Sequence, residues 1–426
     1  MYLRGLNKRK PRENHSDSVY GNAWRKLKKN RPAMFGLFVI LFAALIAILG
    51  GNIRPDASKN SNNVVPPIDR IAPGSVVNHL LVHKNDETVE AGFFGKLFMW
   101  GSDLSDKYYP YFDYNIVGSE IVVENYSKLA HLDSYTPDYN NFQVADVLYS
   151  LNYLRENNII DNGDGTQTIY LLDSTKITRS IEEMVEEVQE NKLVSKTYYL
   201  GTDTQGRDML SRLMAGTFVS LSVGFIAVII SLFLGVILGM LAGYYRGWVD
   251  KVVMYVVSVV WSIPGLLFLI SFMMVMGKGF TTLFIGIGLI MWVDLARLVR
   301  GQVMSLREKE YIEAGKSLGF KDGRILFRHV FPNIIGPVIV QCANNFAVAI
   351  LLEAGLSYLG IGVKIPMSSW GIIITNHKDY LGDPVYGFTA VLPGVFILLL
   401  VFAFMMLGNG LRDAFDAKSV DATSNV

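Results

Sequence analysis

The chain has 426 residues, of which 51% are hydrophobic, with a formal net charge of +1 and a mean hydropathy of +0.30. That balance excludes an ordinary soluble domain of this size. A single cysteine, Cys342, excludes a disulfide scaffold.

The apolar residues are clustered. Nearly uncharged windows long enough to cross ~30 Å of hydrocarbon as helix fall at about 33–51, 219–243, 252–276, 280–298, 335–358 and 386–408. Ahead of the first, residues 1–32 carry ten Lys/Arg and end in the basic run Trp24 to Pro32. Such a run can bind lipid or nucleic acid, but beside an apolar span it reads first as a topology signal, with the lipid bilayer and no nucleic acid as partner. No small-x-small site follows Leu49-Gly50-Gly51, so span 1 is expected to stay as an anchor.

Residues 52–199 hold twelve basic and twenty-two acidic side chains, a charge of about −10. Asn157 to Asp173 has β-rich arms around Asp161-Asn162-Gly163-Asp164-Gly165, a hairpin signal. Ser180 to Lys192 predicts an acidic amphipathic helix with Ile181, Met184, Val185 and Val188 on one face. The segment is long enough for its own core, and a small mixed α/β domain is expected. Asp161 and Asp164 lack the spacing of an EF-hand and fit turn chemistry. No metal site is expected anywhere in the chain.

Arg207 and Asp208 fall just outside span 2. Pro264-Gly265 predicts a kink in span 3, which either widens a pathway or aids packing. Asp294 near the inner end of span 4 would cost ~3 kcal/mol alone in lipid, so an (i, i+3) pair with Arg297 or snorkelling to the interface fits it, and a structural pair is expected ahead of a translocation role. Glu353 lies near the outer end of span 5, beside water or an outer gate.

Residues 297–329 carry eight Lys/Arg against four acids, which places this loop and the N-terminus in the cytoplasm. Six spans then put the C-terminus inside and 52–199 outside. Within the loop, Ser305 and Glu308 predict a capping box, Gly319 a helix C-terminus, and Asp322 the cap of a second short helix. Tyr311, Ala314, Gly315 and Leu318 recur at helical spacing. Such a pair fits either a groove on another protein or an ordinary surface. Gly315-Lys316-Ser317 is not a P-loop, because position 310 is Glu310 and a helical pattern precedes it.

From Glu313-Ala314-Gly315 through Gly319 to His329-Val330-Phe331-Pro332, the loop resembles the "EAA" signature of ABC-importer permeases. Arg328 to Asn333 is similar to the form found in the dipeptide/oligopeptide/nickel branch. Other blocks agree in order: Trp24 to Leu37, Leu200 to Asp203 with Gly206-Arg207-Asp208, Leu352 to Gly360, Ser369-Trp370-Gly371 and Gly410 to Asp413. The resemblance covers about 24–51 and 200–416. Departures are Gly315 for Ala, Asn409 for Asp, Ala417 for Pro, and the length of 52–199.

The resemblance implies an all-α polytopic membrane protein, with six transmembrane helices of the type I importer permease fold and a large extracytoplasmic α/β insertion between spans 1 and 2. It implies a basic N-terminus (1–32), span 1 (33–51), the insertion (52–199), the permease core (200–416) and a cytoplasmic tail (417–426) in a bacterial-type cytoplasmic membrane. The subunit would catalyse no chemistry and hold no cofactor, ATP and Mg belonging to partner ATPases. Its partners would be a second homologous permease, two cytoplasmic ATPase subunits and an extracytoplasmic solute-binding protein. Tyr311, Glu313, Ala314, Gly315, Leu318 and Gly319 would couple to an ATPase through the 305–332 loop. Asp203, Arg207, Asp208, Glu353 and Trp370 would belong to an extracytoplasmic gate, and Pro264 and Gly265 to a kink in the pathway. Peptides are the expected cargo, with nickel or another small solute as alternative. A sensor using 52–199 as its ligand domain, or an embedded enzyme using Asp294, Arg297 and Glu353, are the competing readings. The absence of HExxH and GxSxG patterns weighs against the enzyme.

Overall fold

The computed structural model describes residues 19–415 apart from Glu87, Val89, Glu90, Trp100, Asp133, Glu156 and Ile365; the tail 417–426 lies outside the described residues. A short helix, α1 (Val19–Lys29), leads into the apolar α2 (Arg31–Ile53). Asn30 separates them, its side chain accepting the Ala33 amide at 3.1 Å ahead of a helix with Pro32 in its first turn. α2 buries Ala33, Gly36, Ala47, Gly50 and Gly51 and exposes Phe38, Leu41, Phe42 and Leu45.

Next comes the α/β insertion. Its strands are β1 (Ser75–His83), β2 (Asp106–Val117), β3 (Glu120–Asn125) and β4 (Tyr139–Gln143), followed by α3 (Val144–Leu148), β5 (Ile159–Asp161), β6 (Thr166–Tyr170), β7 (Lys176–Ser180), α4 (Ile181–Asn191) and β8 (Leu193–Tyr198). An antiparallel sheet runs β4-β3-β2-β1-β8, and β5-β6-β7 form a second. Alternation drives Leu80, Ile121, Val123 and Ile169 inward, where Met184 and Val188 of α4 meet them. The predicted hairpin is β5–β6, and Asp161 and Asp164 accept turn amides there at 2.9 Å. Because β8 pairs with β1, Ser75 opposite Tyr198, the chain leaves the domain beside its point of entry.

The remainder is helical: α5 (Met209–Tyr245), α6 (Gly247–Ser262), α7 (Gly265–Met276), α8 (Phe280–Arg307), α9 (Glu310–Ser317), α10 (Asp322–Ile325), a π-turn at Leu326–Val330, α11 (Phe331–Tyr358), α12 (Trp370–His377) and α13 (Phe388–Phe415). Among the described residues, five helices are long and apolar enough to cross a membrane, or six if α6 and α7 together make one crossing. Span 3, expected at 252–276 with a kink at Pro264-Gly265, is divided at those residues into α6 and α7. The chain bends by 88° between α6 and α7, where Pro264 has no amide to continue the helix. α5 and α8 pack closely, with Gly235, Gly239 and Gly243 facing Leu295, Ala296, Val299 and Val303. A Cβ on Gly239 would lie 2.6 Å from the Ala296 carbonyl oxygen, so only glycine permits this approach.

Candidate functional site

Two constructions stand out, at opposite ends of α5. The first is an elbow formed by α9, α10 and the π-turn. α8 continues through Arg307, so the predicted Ser305–Glu308 capping box does not form: Ser305 is helical, and Glu308 instead accepts Arg246 Nη2 at 2.6 Å. Lys309 is the N-cap of α9. That helix ends in a Schellman motif, the Phe320 amide donating to Gly315 O at 3.1 Å and the Gly319 amide to Lys316 O at 2.9 Å. Gly319 carries φ of +75°, the left-handed conformation the motif requires. Asp322 lies in the first turn of α10 rather than capping it, Lys321 being the N-cap, and accepts the Tyr244 hydroxyl at 2.7 Å.

The elbow is fixed to the bundle by apolar contacts. Ile312, Ile325, Leu326 and Val330 are buried with Val236, Met240, Tyr244, Val299, Val303 and Ile334. Lys316 Nζ lies 4.9 Å from the centre of the Tyr244 ring. The expected single face of Tyr311, Ala314, Gly315 and Leu318 is divided. Gly315 is buried with Ile312, whereas Tyr311, Glu313, Ala314 and Leu318 point outward. Leu318 is 74% exposed and Phe327 67%, on an element otherwise held rigidly.

The second construction is a neck joining the α/β domain to α5. Arg207 donates to Asp203 through Nε at 2.7 Å and lies at 2.6 Å through Nη2, and its Nη1 reaches Asn62 Oδ1 at 2.9 Å. Arg212 Nε lies 3.3 Å from the same carboxylate. Asp208 caps α5 by accepting the Ser211 amide at 2.7 Å, and burial raises its carboxyl above the usual range. The Ser211 hydroxyl accepts the Asp56 amide at 2.9 Å, and Ile71 donates to Thr202 Oγ1 at 3.0 Å. Asp56, Asp203, Arg207, Asp208 and Arg212 are all buried.

The residues expected at an outer gate are therefore not on an open surface. Glu353 is buried and accepts Ser220 Oγ at 3.0 Å and Ser357 Oγ at 2.8 Å, joining α11 to α5. Trp370 is buried with its indole N–H on Leu213 O at 3.0 Å and its ring against Gly216. Pro264 and Gly265 mark the α6–α7 bend. The expected Asp294–Arg297 pair is absent: the Arg297 guanidinium lies 3.9 Å from the centre of the Trp261 ring. Sequence reasoning missed Arg54, Asp56, Arg212 and Tyr244. Of these only Arg212, a lone charge opening an apolar run, carried a signal.

Residues 18–67 match the family described as the N-terminal TM domain of oligopeptide transport permease C, and residues 235–420 that of the binding-protein-dependent transport system inner membrane component. The chain is 38% identical over 228 residues to the oligopeptide transport system permease protein OppC of Bacillus subtilis (strain 168), covering 54% of this chain and 74% of that protein. It is 39% identical over 224 residues to the dipeptide transport system permease protein DppC of Alkalihalophilus pseudofirmus, covering 53% and 73%. The corresponding values for OppC of Escherichia coli (strain K12) are 41% over 221 residues, 52% and 72%. The chain belongs to the OppC/DppC-type permeases of binding-protein-dependent ABC importers. The permease is thus a multi-pass membrane subunit of a bacterial-type importer complex, and ATP hydrolysis resides in separate ATPase subunits. Its elbow falls inside the 235–420 match, while β1 to β8 fall between the two matched segments.

Proposed function

We propose that this permease carries di- or oligopeptides inward across the cytoplasmic membrane, with the elbow within 305–332 seated in a groove of an ATPase. The observation that supports it most is the outward stripe of Tyr311, Ala314 and Leu318, joined by Phe327, on an element anchored from beneath. Exposed apolar side chains on a rigid polar surface mark an interaction site. Because the elbow is buttressed on α5, α8 and α11, a push on it moves the bundle as a body.

The charge distribution supports the elbow end as cytoplasmic, with the acidic α/β domain outside. Counting α6–α7 as one crossing gives six spans and both termini inside, in keeping with a type I permease core. A second homologous permease, two ATPase subunits that bind ATP and Mg, and an extracytoplasmic solute-binding protein complete the assembly. The α/β domain caps the outer mouth or meets the binding protein. Asp203, Arg207, Asp208, Glu353 and Trp370 serve the outer gate as its buried frame, and the Pro264-Gly265 bend shapes the pathway beside it.

The test is Gly319→Asp in the reconstituted complex. A non-glycine residue strains the Schellman turn by about 1 kcal/mol and tilts the stripe. Membrane insertion is expected to persist while ATP hydrolysis is uncoupled from uptake or the ATPase subunits are lost. Normal uptake by this variant overturns the reading.

A further inference from the structure

Asp294 stands on α8 without an ion-pair partner among the described residues, and its side chain is exposed. Its depth follows from the helix. Six residues further along, Arg300 holds Asp250 in a two-point pair at 2.5 and 2.7 Å, near where α6 begins. At 1.5 Å per residue, Asp294 lies about 9 Å outward of that pair and about 21 Å from Phe280, within the hydrocarbon slab. A carboxylate facing lipid there would cost about 3 kcal/mol, so this face meets water or another polar surface.

The surroundings decide which. One and two turns along the same stripe, Leu298 and Gln302 enter a groove of about 470 Å³ that is also lined by Gln341 and Asn344 of α11 and Arg412 of α13. α2 exposes Phe38, Leu41, Phe42 and Leu45, as a lipid-facing helix does. The α8–α11–α13 groove instead offers three amides, each with donors and an acceptor, and the Arg412 guanidinium, with Asp294 one helical turn beyond Leu298 at its margin. It is concave, and it reaches the helix ends beside the elbow, where Gly336 and Phe415 complete its wall.

We infer that this groove is the water-filled inner half of the solute's path, and that Asp294 receives the cationic end of a passing peptide, its α-ammonium or a Lys or Arg side chain. The inference rests on the peptide-import reading above. The amides of Gln302, Gln341 and Asn344 suit peptide groups of any sequence. Asp294 adds a preference for charge at one depth.

The experiment uses the complete complex in liposomes. Asp294→Asn and Asp294→Glu are compared for uptake of a tripeptide with a free amino terminus and of its N-acetylated, uncharged counterpart. Losing one charge-assisted contact predicts that Asp294→Asn slows the free-amine peptide about tenfold and the acetylated one less than twofold, with Asp294→Glu restoring most of the rate. In a Cys342→Ala background, Gln302→Cys and Asn344→Cys are expected to react with a membrane-impermeant thiol reagent and to be protected during peptide transport. Equal slowing of both peptides by Asp294→Asn, or no slowing, overturns the role of Asp294. Cysteines that react only with a lipid-soluble reagent, or with none, overturn the groove and point to a surface sealed by lipid or by the second permease. Failure of the peptide reading looks different: the unaltered complex then moves neither peptide, and the thiol reactivity alone upholds or overturns the aqueous groove.

Discussion

The neck and the elbow sit at the two ends of α5 and are both rich in charge, yet they use it in opposite ways. At the neck, Asp203, Arg207, Asp208 and Arg212 are all at most 2% exposed, and Asn62, which accepts from Arg207, and Asp56, whose amide donates to the neighbouring Ser211, arrive from some 150 residues earlier. Charges taken out of water this completely hold a structure together only as a set. At the elbow the charges remain in solvent and the anchoring is apolar, through Ile312, Ile325 and Leu326. The neck therefore reads as a weld between the α/β domain and the bundle. The elbow reads as a handle whose outer surface is free for a partner.

That contrast is sharpest if the two ends are broken separately. Arg207→Ala leaves Asp203 buried with only Arg212 nearby, and is expected to destabilise the permease by about 3–5 kcal/mol, seen as a large fall in the thermal midpoint of the detergent-solubilised chain. Replacing Asp203 and Arg207 together by apolar residues is expected to recover part of it. Leu318→Asp does the reverse: its stability stays within about 0.5 kcal/mol of the unaltered protein, as for surface changes generally, while recovery of ATPase subunits falls at least about tenfold. A midpoint that falls with Leu318→Asp would make the elbow a structural element like the neck.

A smaller effect separates the α/β domain from both. His79 is buried against Tyr198 and near Lys196, and burial followed by the Lys196 charge pushes its pKa down from 6.5 to about 3. The unfolded chain therefore binds a proton near pH 6.5 that the folded domain refuses until near pH 3. Stability from this group is complete above about 6.5 and is lost as pH falls toward 3, by about 1.4 kcal/mol per unit. Amide hydrogen exchange in β1 of the intact chain is expected to rise between pH 7 and 5, after correction for intrinsic rates, and His79→Gln to flatten the trend. The elbow amides should show no such dependence.

The membrane helices were legible because long uncharged runs have few other uses, and the β5–β6 hairpin because Asp-Asn-Gly-Asp-Gly admits little but a turn. Pro264-Gly265 announced a break, but the residues do not encode its 88° angle, which neighbouring helices set. The elbow's start was misplaced because Ser305 and Glu308 have capping chemistry, while Val303, buried against α5, carries α8 onward. Gly315 was grouped with Tyr311, Ala314 and Leu318 by spacing. Its position next to Phe320 in the Schellman turn places it inward instead. The gate residues flank a span, and nothing local reveals that Asn62 and Asp56, far earlier in the chain, bond to Arg207 and Ser211 among them.

The most direct test of the account is photocrosslinking from position 318 in the assembled complex, with position 117 on the exposed end of β2 as comparison. An adduct with an ATPase subunit is expected from position 318 and none with that subunit from position 117. An ATPase adduct from 117, or adducts from 318 that contain no ATPase subunit, would contradict it.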